Sequence, residues 1–66
     1  MEAWISDVVG RMHVHNVKQA EIAAHMGVRR EHVNKILSGR LAPKGARERV
    51  VAALDEIIQQ REQQTA

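Results

Sequence analysis

Nine residues between positions 19 and 39 keep a spacing that few folds can satisfy. They are Gln19, Ala23, Gly27, Val28, Val33, Ile36, Leu37, Ser38 and Gly39, inside QAEIAAHMGVRREHVNKILSG. Ala23 is small where two helices have to cross closely. Gly27 follows where the chain has to bend sharply after a helix, and glycine accepts φ > 0 there without steric penalty. Val28 plugs the bend. Val33, Ile36 and Leu37 repeat at helical spacing as the buried stripe of a second helix, which Ser38-Gly39 then stops. Arg30, Glu31, Asn34 and Lys35 are left together on its outer side. The spacing predicts two short helices crossed over a tight turn, a helix-turn-helix.

The rest of the chain reads as helix too. A first helix is expected over about residues 2–15, with Trp4, Ile5, Val8, Val9 and Met12 as its apolar stripe and Gly10 weakening it slightly. Trp4 is the only aromatic residue, and its place in that stripe makes it a core anchor rather than a base-stacking platform. His15-Asn16-Val17 leads to a helix at about Lys18–Met26, with Ile22, Ala23 and Met26 inward. The next runs from about Arg29 or Arg30 to Leu37. Residues Arg40 to Gly45 hold one proline and one glycine and read as a loop with Leu41 tucked in. A helix at about Ala46–Gln60 buries Val50, Leu54, Ile57 and Ile58, with Val51 beside them, and the polar tail REQQTA is expected to fray. No alternating β-branched run or hairpin dipeptide argues for a strand. The expected fold class is all-α, a compact bundle of four to five short helices containing the helix-turn-helix. Residues 1–60 form its one domain, and 61–66 the frayed tail.

At 66 residues the chain is close to the lower limit for folding alone. It has no cysteine, so neither a disulfide framework nor a thiolate metal site can brace it. Helix packing has to supply its stability, assisted by dimerisation or by a bound polyanion. No apolar run is long enough to span a membrane. The opening MEAWISD lacks the basic-then-apolar order of a signal peptide.

Net charge is only +2, yet it is unevenly spread. Between positions 29 and 49 stand Arg29, Arg30, Lys35, Arg40, Lys44, Arg47 and Arg49 against Glu31 and Glu48, a net of +5. Residues 1–28 carry −1 and residues 50–66 carry −2. The basic window coincides with the second helix of the motif and the loop after it. A localised basic face is the footprint of a polyanion binder.

Residues 18–39 resemble the phage repressor and Cro-like (lambda-repressor-like) helix-turn-helix family of bacterial and phage transcription regulators. The likeness extends more loosely to the amphipathic first helix, the basic loop with Pro43-Lys44 and the closing helix with RVVAAL. It implies binding to double-stranded operator DNA as a homodimer on two-fold-related half-sites, in the cytoplasm at the nucleoid. It implies that Gln19 opens its helix against a DNA phosphate, and that Arg30, Glu31, Asn34 and Lys35 meet base edges. The chain departs from the family where Ser or Thr usually caps the two helices. Lys18 and Arg29 stand there instead, and each absent cap costs about 1 kcal/mol. A cation near the positive helix end is also locally unfavourable. Lys18 and Arg29 therefore read as phosphate contacts that replace caps. With no second domain for ligand sensing or self-cleavage, the chain looks more like a small Cro-type or immunity-type regulator than a two-domain repressor.

The outer face has a definite chemistry. Arg30 and Asn34 are one helical turn apart, so their side chains stack along the helix. Arginine donates twice to guanine O6 and N7, and asparagine pairs twice with adenine N6 and N7. Glu31 and Lys35 have the order of an i,i+4 salt bridge, while Glu31 can alternatively accept from a cytosine amino group. His32 sits at the edge of the face, either contacting phosphate or partly packed. Arg40, Lys44 and Arg47 are expected to bind phosphate, helped by free N–H donors at the last helix's N-terminus.

Other sites find little support. His13 and His15 are two apart and diverge on a helix, and no carboxylate cluster joins them or His25 and His32, so no metal is expected. No nucleophile among Ser6, Ser38 and Thr65 has a base at a meaningful spacing. Lys44-Gly45 lacks the upstream glycines of a phosphate loop. No enzyme activity, cofactor or small-molecule substrate is expected. The expected function is a DNA-binding transcription regulator, a repressor on a palindromic operator. The dimer surface is placed on the last helix at Val51, Ala52, Ile57 or Ile58, because two five-residue stripes cannot both face one small core. The rival is an interaction adaptor or antirepressor that keeps the fold without reading DNA. RNA binding lacks the aromatics that stack bases.

Overall fold

The computed structural model describes residues 2–64. Four helices follow in order: α1 (Ala3–His15), α2 (Gln19–Met26), α3 (Arg30–Leu37) and α4 (Ala46–Gln64). There is no strand among the described residues. The fold is the all-α bundle expected, with four helices and no fifth among the described residues.

The first three helices end the same way. A left-handed residue closes each: Asn16 (φ 55°) directly after α1, Gly27 (φ 74°) directly after α2, and Gly39 (φ 81°) one residue further on, after the right-handed Ser38 that follows α3. The next N–H then reaches back past the last turn. Val17 donates to the Met12 carbonyl at 2.8 Å, Val28 to Ala23 at 2.9 Å and Arg40 to Lys35 at 3.0 Å. This back-bonding satisfies carbonyls that a helix end leaves without partners, and it turns the chain sharply. At Gly27 the turn carries the chain from α2 into α3 within three residues.

One apolar cluster joins all four helices. Its wholly buried side chains are Val8 of α1, Ile22 of α2, Val33 and Ile36 of α3, and Val50 and Leu54 of α4. Each such side chain contributes about 1.5–3 kcal/mol by leaving water. α4, at 19 residues, is the longest element and packs on both α1 and α2, while α2 carries α3. No polar or charged residue is buried among those described. Whatever polar chemistry the protein performs therefore takes place on its surface.

Four expectations change. Val9 stands about 100° around the helix from Val8 and is 44% exposed, so it leaves the α1 stripe. Leu41 is not tucked in. Its N–H bonds the Lys35 carbonyl at 3.2 Å, and its side chain, 37% exposed, stands at the rim of an open groove. That groove holds about 800 Å³ between the start of α1 and the segment after α3, with Trp4, Ile36, Leu41, Pro43 and Arg47 in its wall. Ile57 and Ile58 are buried, because α4 stays against α2 through this turn, so neither offers a dimer surface. Of the four residues named for that role, Ala52 is exposed and Val51 half-buried. Finally, residues 61–64 are helical rather than frayed, because Arg61 is bonded to both α1 and α2. Thr65 and Ala66 lie outside the described residues.

Candidate nucleic-acid interface

α3 is eight residues long and two-sided. Val33, Ile36 and Leu37 are buried, so helical geometry turns Arg30, Glu31, Asn34 and Lys35 outward, and all four are exposed. His32 is half-buried at the edge. The sequence-derived quartet therefore shares one solvent-facing surface.

Two contacts organise that surface. The Asn34 Nδ2 donates to Gln19 Oε1 at 3.2 Å, tying the first residue of α2 to the middle of α3. Glu31 lies 4.0 Å from the Arg30 guanidinium. Among the described residues no ion pair joins Glu31 to Lys35, so the i,i+4 pairing offered by the spacing is not made. Both members of the Arg30–Glu31 pair are more than half exposed, and such pairs contribute little. Arg30 thus keeps most of its five donors open.

The helix starts differ from each other. Arg29 occupies the N-cap of α3 in extended backbone (φ −81°, ψ 152°) without any side-chain cap bond. Lys18 occupies the N-cap of α2 and its ammonium has no acceptor to offer. Here Glu21 supplies half of a capping box: its Oε2 accepts the Lys18 backbone N–H at 2.7 Å. That bond, foremost, holds the Glu21 carboxyl below the usual carboxylate range. Arg61 adds to the effect and partial burial opposes it.

The remaining basic residues are spread along the connecting segment. Arg40 follows the Ser38-Gly39 end of α3, where the Lys35 carbonyl accepts from the Arg40 and Leu41 N–H groups and the Ser38 hydroxyl. Lys44 is exposed in the loop. Arg47, in the first turn of α4, lines grooves against Trp4 and Arg11 of α1.

Two cross-helix ion pairs and one histidine–carboxylate contact were not foreseen from the spacing of the chain. Arg11 bonds Asp55 at 2.5 Å, His25 meets Glu56, and Arg61 meets Glu21. All three fasten α4 to α1 or α2. Arg61 had a signal in the sequence, since it falls three residues after Ile58 and four after Ile57, on the buried side of α4. Among the described residues no group of three or more His, Cys, Asp or Glu is placed to hold a metal ion. No helix there is long and apolar enough to cross a membrane. Compared with known proteins, the chain matches no family model, no characterised relative and no solved structure.

Proposed function

We propose that this chain is a sequence-specific DNA-binding transcription regulator, a repressor acting as a homodimer with α3 in the major groove of a palindromic operator. The observation that carries the reading is the shared exposure of Arg30, Glu31, Asn34 and Lys35 on a helix whose other side is core. A short helix presented this way fits the width of the groove. Arg30 and Asn34 carry donor and acceptor sets suited to guanine and adenine edges. Lys18, Gln19, Arg29, Arg40, Lys44 and Arg47, none of them buried, supply the backbone contacts that fix register. One α3 covers only a few base pairs, so two copies about 10 base pairs apart give useful discrimination.

Selection on randomised duplex DNA at stated salt tests the proposal. The expected result is a palindromic site and a log–log salt slope of roughly −5, as for about six neutralised phosphates in a dimer. No enrichment over random duplex, at low salt included, overturns it. A second reading, an interaction adaptor, draws on the open groove with Leu41 at its rim. Retention on heparin that is lost in a folded Lys44→Glu variant favours DNA. Unchanged behaviour of that variant favours the adaptor.

A further inference from the structure

Arg61 holds two acceptors at once. Its Nη1 donates to the His15 carbonyl oxygen at 2.7 Å, at the end of α1, and its Nη2 pairs with Glu21 Oε1 in the first turn of α2. The other Glu21 oxygen, Oε2, accepts the Lys18 N–H at 2.7 Å. The next residue, Gln19, accepts from Asn34 at 3.2 Å. A chain of polar contacts and one peptide step thus runs from the last turns of α4, through the junction of α1 and α2, to the outer face of α3.

We infer that Arg61 is a positioning residue for the α3 face: its forked guanidinium sets the α1–α2 junction, and through Glu21 and Lys18 it sets the pose of Gln19 against Asn34. This rests on reading α3 as the DNA-contacting helix. The physical reason is the shortness of α2, eight residues whose N-cap side chain has nothing to accept with. Few contacts determine how such a helix starts, and Glu21 supplies one that Arg61 in turn orients. A guanidinium serves a carbonyl and a carboxylate together in fixed geometry, whereas an ammonium is a single mobile head. The pair is also about two-thirds shielded from solvent, which limits the alternative directions its members can take.

The test compares Arg61→Gln, Arg61→Lys and Glu21→Gln with Arg49→Gln, which removes equal charge from the same helix. Two measurements are made on the free protein by NMR: amide hydrogen exchange at Lys18, and the Asn34 Nδ2 proton shifts. A third is base discrimination on the selected DNA, with circular dichroism as the control for folding. Arg61→Gln is expected to speed Lys18 exchange several-fold, to move the Asn34 resonances, and to reduce discrimination several-fold at one base position per half-site. Arg61→Lys recovers part of each effect. Arg49→Gln weakens DNA binding evenly across sequences and leaves both resonances in place. Should Arg61→Gln fail to fold, Glu21→Gln reports the same signals, because its amide oxygen still accepts from Lys18 while the ion pair is gone. Wild-type values at Lys18 and Asn34 in the folded variants overturn the inference. Failure of the wild-type protein to bind any DNA sinks the proposed function instead, and leaves the free-protein result to stand or fall by itself.

Discussion

The Asn34 side chain donates one of its two amide hydrogens to Gln19 Oε1 at 3.2 Å, across the turn between α2 and α3. The second hydrogen and the Oδ1 oxygen remain, and these are the donor and acceptor that an adenine edge engages. The bond therefore orients Asn34 while leaving those two groups for the base contact proposed for it. Asn34→Ala is expected to lower discrimination at one position per half-site by about 1–3 kcal/mol. Gln19→Ala is expected to relax the same position, more weakly, besides losing the phosphate contact proposed for it. Selection on randomised DNA checks both. If Gln19→Ala weakens all sequences equally, the orienting role is wrong.

Gly27 turns the chain with φ 74° and ψ 29°. A Cβ built there meets no heavy atom within 4 Å, so a substitution is penalised by backbone conformation alone. Gly27→Ala is expected to destabilise by about 1–2 kcal/mol. In a domain of this size each kcal/mol lowers the melting temperature by about 4–8 °C. Gly27→Asn should lose less, since asparagine tolerates the left-handed region, as Asn16 does here (φ 55°). Thermal denaturation of the two variants decides the point, and equal losses would argue for crowding that the geometry does not contain.

Arg29 caps α3 with no side-chain bond, although its backbone already has the extended conformation a cap requires. Arg29→Ser should stabilise the free protein by about 0.5–2 kcal/mol. If α3 reads DNA as proposed, the same change should weaken binding, because it removes a cation beside that helix. Melting curves and binding isotherms at one salt concentration test the pair of effects. Tighter binding by Arg29→Ser removes Arg29 from the phosphate contacts.

The depressed Glu21 carboxyl links stability to acid. Its largest cause is the Lys18 backbone N–H, assisted by Arg61 and the Lys18 charge and opposed by partial burial. A carboxylate that ionises more readily folded than unfolded stabilises above the unfolded value, about pH 4.3 for Glu. That stabilisation disappears as pH falls through the folded value. With the side chain 38% exposed, the contribution is screened to about 0.2–1 kcal/mol. Melting temperatures of wild type and Glu21→Gln should therefore differ most above about pH 5 and converge in acid below the Glu range. A difference that stays constant across this range contradicts the linkage.

Much of the fold is legible in the chain because it depends on residues close together in sequence. The helical period places Val33, Ile36 and Leu37 on one side of α3, and the opposite side is then necessarily Arg30, Glu31, Asn34 and Lys35. Gly27 and Gly39 mark the ends of α2 and α3 by the one conformation that favours them. Local spacing reaches no further. It shows that a residue is covered, but not by what. Hence Ile57 and Ile58 read as surplus apolar surface until α4 is seen to stay against α2, and Leu41 reads as core until the turn after Gly39 carries it to a groove.

The chain by itself thus determined the limits of α2 and α3, the bend at residue 27 and the identity of the exposed α3 quartet, all consequences of geometry within a turn or two of helix. Tertiary structure alone decided which groups meet across it: Asn34 with Gln19, and Arg61 with both His15 and Glu21. Those partners lie 15 to 46 positions apart. Contacts at such separations form only where the packing of α4 on α1 and α2 sets the distances, and no pattern of neighbouring residues encodes that packing.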